Sequence, residues 1–258
     1  MRPFGGYARY YDLLYGDKDY AGEVRFIDGL IRAQVPGARR VLELGCGTGT
    51  HGVLLAGMGY DVLGLDLSPE MLAIAEQRRA GLPADVASHV RFLQADARSF
   101  ATGQRFDVVL ALFHVMSYQV DDADLAAVFA RVKAHLAPDG VFLFDCWYGP
   151  AVVATPPVSR VKRVADAATS IVRTAEPVLH PNDNLVEVHY RLEATDVATG
   201  TIAEVAEVHR LRYLFRPEIE RLAGLHGLRI VASGEWLADR PADGSTWSVY
   251  FALRHVVA

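Results

Sequence analysis

The sequence lacks most of the patterns that mark secreted or metal-dependent proteins. Its two cysteines, Cys46 and Cys146, show neither CxxC spacing nor a disulfide framework, which favours a reducing cytoplasm over secretion. No HExxH, CxxC or facial-triad pattern indicates a metal site. The opening residues contain no apolar signal core. We therefore expect a cytoplasmic protein without a metal site.

Long apolar runs and basic clusters are also missing. The longest charge-free apolar run, residues 108–120, is shorter than the roughly 20 apolar residues that a membrane span requires. We interpret it as a buried strand with the loop that follows. A net charge of −5 offers no basic surface to nucleic acid. The sequence therefore predicts neither a membrane nor a nucleic-acid partner.

A regular alternation of strand-like and helix-like segments is present between Arg39 and Tyr148. Strand patterns occupy residues 39–44, 60–67, 90–96, 105–113 and 140–147. Between the last two, residues 122–136 form an amphipathic helical pattern that Pro138 and Gly140 are expected to end. This alternation predicts an α/β fold with a doubly wound, mostly parallel sheet.

The pattern changes after Pro150. Three strand-like segments (169–180, 185–195 and 201–215) precede a short helix (217–227) and two late strands (228–236 and 246–256). We predict four parts. They are an N-terminal helical segment over the cofactor site (1–38), a cofactor-binding core (39–150), an antiparallel β insertion for substrate or dimer contact (151–213), and a C-terminal helix and strands that complete the core sheet (214–258).

The most informative stretch is VLELGCGTGTHG, residues 41–52, in which glycines alternate after a strand. Two registers compete. Residues 47–52, GTGTHG, match the GxGxxG pattern of dinucleotide-binding proteins, which is a weak signal alone. Counted from the strand, the loop is E-x-G-x-G-x-G and starts at Glu43. A carboxylate at that position would repel a pyrophosphate and suits a cationic ligand.

Acidic residues also end the next two strands. Asp66 stands where an α/β sheet presents a carboxylate to a ribose diol, and Asp96 lies in QADA, residues 94–97. With the register that starts at Glu43, these positions resemble the class I S-adenosylmethionine-dependent methyltransferases. The resemblance implies a Rossmann-like methyltransferase fold and S-adenosylmethionine as the cofactor. The alternative is that Asp66 and Asp96 are ordinary surface residues at strand ends.

The resemblance assigns the cofactor site to residues of the N-terminal segment, the glycine loop and the strand ends. Asp66 would bind the ribose hydroxyls, and Leu67 and Met71 would line the adenine slot. Asp96 would accept the adenine amino group, and Ala97 would donate its backbone N–H. The complete set is Tyr11, Glu43, Gly45, Cys46, Gly47, Gly49, Asp66, Leu67, Met71, Asp96, Ala97 and Leu112.

A narrower resemblance rests on YDLLYGDKDY (11–20), GCGTGTH (45–51), GLDLSPEMLAIA (64–75) and the loop after the fourth strand. These segments resemble the bacterial nucleotide-sugar N,N-dimethyltransferases, which methylate amino sugars linked to thymidine diphosphate for glycosylated antibiotics and other natural products. The resemblance implies a small-molecule acceptor, a homodimer through the β insertion, and a catalytic or closing role for Tyr11. The loop FHVMSYQ (113–119) departs from the small polar residues of those enzymes, so the acceptor stays open.

His114 is the leading catalytic candidate. It follows the fourth strand at the edge where ligands bind, and histidine can remove a proton near neutral pH. The alternative is a histidine that only packs within its loop. His189 and His209 lie on insertion strands and at best line a substrate pocket. The aromatic side chains expected to contact the acceptor are Tyr15, Phe113, Tyr118, Trp147 and Tyr148.

Four functions remain open from the sequence. N-methylation of an amino sugar nucleotide is favoured, and O-methylation of a sugar or natural-product hydroxyl is the alternative within the same class. An NAD-dependent oxidoreductase would use the 47–52 register but conflicts with Glu43 and Asp96. A protein that binds S-adenosylmethionine without catalysis is the fourth possibility, because the binding pattern is clearer than the catalytic one.

Overall fold

The structure, a computed structural model that describes residues 6–256, is built on two β-sheets. The strands are β1 (Arg40–Leu44), β2 (Asp61–Asp66), β3 (Val90–Gln94), β4 (Phe106–Ala111), β5 (Leu136–Trp147), β6 (Arg160–Ala165), β7 (Thr169–His180), β8 (Leu185–Asp196), β9 (Ile202–Arg212), β10 (Leu228–Glu235) and β11 (Ser248–His255). A seven-stranded sheet has the order β10-β11-β5-β4-β1-β2-β3. A second sheet has the order β6-β7-β8-β9.

Strands β1 to β5 run parallel, and β11 runs antiparallel between β5 and β10. The second sheet is wholly antiparallel. The predicted fold class, a mostly parallel doubly wound sheet with an antiparallel insertion, is therefore confirmed. The strand order reverses between β1 and β4, and ligands bind beyond the carboxyl ends of the strands at such a reversal. The glycine loop after β1 and the FHVMSYQ loop after β4 are consequently neighbours.

The longer helices cover both faces of the large sheet, and the short helix α1 packs against the β insertion. They are α1 (Tyr11–Leu14), α2 (Tyr20–Gln34), α3 (Thr50–Gly57), α4 (Pro69–Ala80), α5 (Ala84–Ala87), α6 (Asp122–His135), α7 (Gly149–Ala154) and α8 (Arg216–Leu225), with 3₁₀ turns at Ala8–Tyr10, Val115–Tyr118 and Pro181–Asp183. Helix α4 begins after Ser68, a residue type that favours helix starts, and its hydroxyl accepts the Met71 N–H at 3.2 Å. Within residues 6–256, no helix has the length and apolar content that crossing a bilayer requires.

The core follows the alternation of side chains along the strands. On β4, Val108 and Leu110 pack against the face that α2 and α3 cover. Val109 and Ala111 point the other way, into the cluster that contains the apolar side chains of α6 and α8. Full burial of each such valine or leucine stabilises the fold by about 1.5–3 kcal/mol.

Helix α6 ends differently from the sequence prediction. It stops at His135, and Leu136 already belongs to β5, where it pairs with Phe106 and is fully buried. Pro138 and Gly140, expected to close the helix, therefore lie inside the strand. The register with β4 and the burial of Leu136 favour an extended backbone from Leu136, four residues before Gly140.

The β insertion has four strands where the sequence analysis expected three. Strand β6, RVKRVA, was missed because its side chains are charged and mostly exposed, without the apolar alternation of its neighbours. The six-residue helix α7 was also missed. In the N-terminal segment, residues 1–5 lie outside the described part of the chain, as do residues 257–258 at the other end. The four predicted part boundaries remain predictions.

Candidate active site

A cavity of about 780 Å³ opens at the carboxyl edge of the parallel strands. Most of the residues that the sequence analysis singled out line it: Tyr11, Tyr15, Glu43, Gly45, Cys46, Gly47, Asp66, Leu67, Met71, Asp96, Ala97, Leu112, Phe113, His114, Tyr118 and Trp147. The N-terminal segment, the glycine loop, three strand ends and the FHVMSYQ loop therefore meet around one space.

Gly49 and Tyr148 lie outside this lining. Gly49 precedes α3 with a φ of +75°, and a Cβ there would lie 2.5 Å from the Phe92 ring. It allows the close packing of loop and sheet. Tyr148 donates its backbone N–H to the Trp247 carbonyl at 3.0 Å, and its side chain packs against the main core.

The glycine loop closes on Asp66, the last residue of β2. The backbone N–H of Gly47 donates to Asp66 Oδ2 at 2.8 Å, and the N–H of Ser68 donates to Oδ1 at 2.8 Å. Burial raises the pKa of Asp66, and these backbone donors oppose the change. Each carboxylate oxygen can accept a further hydrogen bond, so Asp66 can still bind ribose hydroxyls.

Glu43 is the most deeply buried acidic group of the cavity, with 1% of its surface exposed. Burial, with the nearby charge of Asp66, raises its pKa to about 8. Its Oε1 lies 3.7 Å from His51 Nδ1. Its Oε2 borders Gly52 but makes no well-aligned hydrogen bond among the described residues. A buried, under-partnered carboxylate fits the positive charges that S-adenosylmethionine carries on its sulfonium and its amino group.

Behind Glu43 lies a charged network that the sequence analysis missed. His51 Nε2 is 2.8 Å from Glu23 Oε2, and Lys18 binds the same carboxylate. Burial alone would raise the pKa of Glu23, yet the hydrogen bonds from His51 and Lys18 lower it to about 2. Burial lowers the pKa of His51. The network joins α2 to the start of α3, and its sequence signal was His51 directly after the glycines.

A second contact holds the N-terminal segment on the glycine loop. Asp12 Oδ1 accepts the Thr48 hydroxyl at 2.8 Å, and its Oδ2 accepts Arg78 Nη2 at 2.7 Å. Arg78 also donates to the Thr50 hydroxyl at 2.7 Å. We call Asp12, Thr48 and Arg78 the Asp12 latch. It places Tyr11 and Tyr15 over the cavity.

Asp96 has a strong partner of its own. Arg98 donates to both carboxylate oxygens, at 2.9 Å from Nε and 2.6 Å from Nη2. These bonds lower the pKa of Asp96, and Arg98 is held from the other side by Asp124 at 2.8 Å. Asp96 therefore lines the cavity with its carboxylate held in place by Arg98. An adenine amino group bound there would share the carboxylate with Arg98.

His114 stands at the opposite end of the cavity from Asp96, on a constrained turn. Phe113 and His114 both have left-handed backbones, with φ of 60° and 65°. The His114 N–H donates to both oxygens of Asp145 at 3.2 Å, and its Nδ1 lies 2.7 Å from Asp145 Oδ2. The approach of Nδ1 is out of line for a hydrogen bond. Asp145 is buried on β5, and the sequence signal for it was a lone acid inside FLFDCW.

Aromatic rings surround the His114 end of the cavity. The Tyr15 ring packs edge-on to Phe113 with centroids 5.2 Å apart, and His114 packs edge-on to Trp147 at 6.2 Å. Burial raises the pKa of Tyr11 and of Tyr118 well above 10, which keeps both phenols protonated. This end offers flat apolar surfaces with a few polar groups, as a pocket for a ring-shaped acceptor would.

The β insertion contributes three side chains to the cavity, and of these the sequence predicted only His209 as a possible pocket residue. Tyr190, His209 and Leu211 line the cavity beside Tyr118. His209 Nδ1 lies 2.9 Å from the Tyr118 hydroxyl. This contact joins β9 to the FHVMSYQ loop. It could not be predicted from the sequence around either residue, because it depends on how the strands of the insertion pair.

Comparison with known proteins agrees with this site. Residues 41–140 match a family model described as a methyltransferase domain. The chain is 33% identical over 238 residues to dTDP-3-amino-3,4,6-trideoxy-alpha-D-glucopyranose N,N-dimethyltransferase of Streptomyces venezuelae, covering 92% of this chain and 94% of that protein. It is 32% identical over 228 residues to dTDP-3-amino-3,6-dideoxy-alpha-D-glucopyranose N,N-dimethyltransferase of Streptomyces fradiae, covering 88% and 85%.

Among solved structures, an amino pentose methyltransferase of calicheamicin biosynthesis from Micromonospora echinaspora, solved with S-adenosylmethionine bound, is 28% identical. Its TM-score is 0.75, over 98% of each chain. The similarity covers the parallel sheet, the glycine loop and the β insertion together. The chain is thus an enzyme that uses S-adenosylmethionine, and it belongs to the family of S-adenosylmethionine-dependent methyltransferases that includes the nucleotide-sugar N,N-dimethyltransferases.

Proposed function

We propose that this enzyme methylates the amino group of a nucleotide-linked amino sugar in natural-product biosynthesis. The observation that carries the proposal is the extent of similarity. Two relatives named for dTDP-amino sugars cover 88% and 92% of this chain, which includes the β insertion as well as the cofactor-binding core. Because Tyr190, His209 and Leu211 of the insertion line the cavity, similarity there concerns the acceptor as well as the donor.

Each of these cavity residues would contact a different part of the cofactor or the acceptor. Glu43 would hold the cationic tail of the cofactor, Asp66 its ribose hydroxyls, and Leu67 and Met71 the adenine ring. The bound cofactor supplies an electrophilic methyl group on a sulfonium. Tyr11 and Tyr15, held down by the Asp12 latch, would exclude water and align the acceptor, which supplies much of the rate in an in-line displacement.

His114 is the proposed base. The acceptor amine must be neutral to attack, so a proton has to leave the nitrogen before or after transfer. Asp145 holds the His114 backbone N–H with both oxygens and lies 2.7 Å from Nδ1. The ring would take the proton at Nε2, and the buried carboxylate would stabilise the imidazolium that results.

The test is an incubation with labelled S-adenosylmethionine and a panel of acceptors. The panel holds dTDP-3-amino-3,6-dideoxyglucose, its 4-amino isomer and the matching 3-hydroxy sugar nucleotide. We expect label on an amino sugar and none on the hydroxy compound. Label on the hydroxy compound alone would overturn the proposal in favour of O-methylation. Donor binding by calorimetry with no label on any acceptor would instead favour binding without catalysis.

We also propose that the enzyme is a cytoplasmic homodimer paired through the β insertion. The outward face of the insertion exposes Val161, Val178 and Ile202, with 52%, 45% and 59% of their surfaces accessible, between rows of charged side chains, and such a mixed face offers apolar and ionic contacts to a second copy. Both cysteines are buried free thiols, which suits a reducing compartment. Sedimentation of the Ile202→Glu variant tests the dimer, since a wild-type sedimentation rate for that variant would contradict this interface. Cell fractionation tests the location.

A further inference from the structure

His51 lies between two buried carboxylates at the wall of the cavity. Its Nε2 is 2.8 Å from Glu23 Oε2, and its Nδ1 is 3.7 Å from Glu43 Oε1. His51, Glu23 and Glu43 have only 6%, 5% and 1% of their surfaces exposed. His51 and Glu43 line the cavity, whereas Glu23 does not. His51 therefore connects the buried network around Glu23 to the space in which the cofactor would bind.

Glu23 receives hydrogen bonds from three directions. Lys18 and His51 bind its Oε2, and the indole Nε1 of Trp236 donates to its Oε1 at 3.2 Å. Burial would raise the pKa of Glu23, but the hydrogen bonds from His51 and Lys18 lower it to about 2. Glu23 is thus ionised at neutral pH. Because a carboxylate only accepts hydrogen bonds, the Nε2 atom of His51 carries a proton and donates it to Glu23.

The surroundings of His51 favour the neutral ring. Burial lowers the pKa of His51 and the Lys18 ammonium lowers it further, whereas Glu23 and the more distant Asp145 oppose the change. The Tyr20 ring packs edge-on to the imidazole with centroids 5.1 Å apart and brings no charge. Since Lys18 already balances the charge of Glu23, the ring does not have to become cationic. A neutral imidazole with its proton on Nε2 has an acceptor lone pair on Nδ1.

We propose that Nδ1 of His51 and the carboxylate of Glu43 together bind the ammonium group of the amino-acid tail of S-adenosylmethionine. The inference rests on the cofactor role proposed for Glu43 and does not depend on the acceptor. Two acceptor atoms 3.7 Å apart can both lie about 2.8 Å from one ammonium nitrogen, which has three N–H donors. An imidazolium in the same place would donate to Glu43 and repel the ligand. Glu23 and Lys18 are therefore positioning residues, because they fix the proton on Nε2 and keep the ring neutral.

The experiment measures by calorimetry the affinity for two ligands that differ in the tail. S-adenosylhomocysteine has the ammonium group, and 5′-methylthioadenosine lacks the whole amino-acid tail. His51→Gln places an amide nitrogen near the position of Nε2 and nothing at Nδ1, so S-adenosylhomocysteine should bind about tenfold more weakly, as the loss of one hydrogen bond to a charged group predicts. His51→Asn places an amide oxygen near Nδ1 and should retain most of the wild-type affinity. Both variants should bind 5′-methylthioadenosine as the wild type does.

A second variant tests the positioning role of Lys18. In Lys18→Met, Glu23 loses its counterion, so His51 should become an imidazolium and S-adenosylhomocysteine should bind more weakly. Nitrogen-15 NMR of the imidazole should show the neutral ring with its proton on Nε2 in the wild type at pH 7, and the doubly protonated ring in Lys18→Met. The matched control is Lys133, whose Nζ lies 2.6 Å from His255 Nδ1 outside the cavity lining. Lys133→Met should change neither the His51 signals nor the affinity.

The wild-type spectrum decides the question even if a variant fails to fold. The Nδ1 signal of His51 should shift when S-adenosylhomocysteine is added and stay in place with 5′-methylthioadenosine. A His51 ring protonated on Nδ1 in the wild type, an unshifted signal, or equal losses of affinity in His51→Gln and His51→Asn would overturn the inference. Wild-type affinity of Glu43→Gln for S-adenosylhomocysteine would instead overturn the proposed role of Glu43, whatever the His51 variants show.

Discussion

The buried carboxylate of Asp145 lies 2.7 Å from the Nδ1 atom of His114 and accepts that residue's own backbone N–H with both oxygens. One acid thus holds the left-handed turn by hydrogen bonds and lies close to the ring that projects from it. A left-handed backbone costs a residue with a side chain about 1–2 kcal/mol, and the hydrogen bonds to Asp145 offset part of this cost at His114, whose φ is 65°. The backbone at the point where chemistry is proposed is therefore bound by a buried side chain.

Replacing His114 tests its proposed role as base. We expect His114→Ala to lower kcat about a hundredfold, since loss of a positioned base costs that order of rate. The affinity for S-adenosylhomocysteine should remain at the wild-type value. Asp145→Asn should lower kcat less, because it keeps the backbone contact and loses the charge. Unchanged kcat in both variants would assign His114 a purely structural role.

Glu43 should make cofactor binding depend on pH. Its pKa of about 8 leaves it mostly protonated at pH 7 in the cofactor-free protein. A cationic ligand favours the carboxylate, so binding at pH 7 should release a proton, and affinity should increase as the pH rises toward 8. Calorimetry in phosphate and Tris buffers measures the released proton. Glu43→Gln should bind weakly and release none, whereas Glu76→Gln, at a half-exposed position of α4, should match the wild type.

The raised pKa of Glu43 should make folding stability decrease as the pH rises, whereas it makes cofactor affinity increase. Between the unfolded pKa of 4.5 and the folded pKa of about 8, the folded protein holds more protons on Glu43 than the unfolded chain does. Its contribution to stability is therefore lost as the pH rises through that window. Denaturant titrations at pH 6 and pH 9 should show a smaller decrease for Glu43→Gln than for the wild type.

The Asp12 latch should contribute to cofactor affinity. Arg78→Met removes the 2.7 Å bond to Asp12, and we expect S-adenosylhomocysteine to bind about two- to fivefold more weakly, as suits a partly exposed ion pair. Proteolysis within residues 8–20 should become faster. The control is Arg79→Met, which breaks a pair with Glu76 on the same helix. Equal behaviour of the two variants would contradict a latch.

Substitution of Gly45 should lower the unfolding free energy for two reasons that can be tested separately. Its φ is +65°, and an added Cβ would lie 2.5 Å from Val115 Cγ2. Gly47 has a similar φ of +54° with no atom within 4 Å of that position. Gly47→Ala should therefore cost only the backbone strain of about 1–2 kcal/mol in unfolding free energy, and Gly45→Ala should cost more. Adding Val115→Ala should bring Gly45→Ala to the Gly47→Ala value.

The parts of the fold that could be predicted are those whose pattern is local. The parallel strands are apolar runs that end in acids or glycine. The start of α4 is indicated by Ser68 at the N-cap and Pro69 at the first helical position. Strand β6 could not be predicted, because its charged side chains are ordered by pairing with β7 rather than by an apolar pattern. The end of α6 was placed too late because Leu136 is extended through its pairing with Phe106.

In the candidate site, too, the residues that could be predicted are those with a local signal in the sequence. Residues at strand ends, such as Asp66 and His114, could be placed together because parallel strands end at one edge. Asp145 was missed, and His209 was expected at best to line a substrate pocket. The contact that each makes depends on tertiary pairing: β5 beside the β4 loop, and β9 beside the 3₁₀ turn that ends at Tyr118. A lone acid or histidine within a buried strand is the signal that could have found them.

The N-terminal segment touches both halves of the cavity. Asp12 binds the glycine loop through Thr48, while Tyr15 and Tyr7 bind Arg173 of the β insertion at 3.2 and 3.0 Å. Each transfer consumes one cofactor molecule, so two transfers to one amine require an exchange in between. A segment that releases one ligand by opening also uncovers the other. If this enzyme methylates one amine twice, we expect distributive methylation, in which the monomethylated sugar accumulates free in solution before a dimethylated product forms, as a mass-spectrometric time course would record.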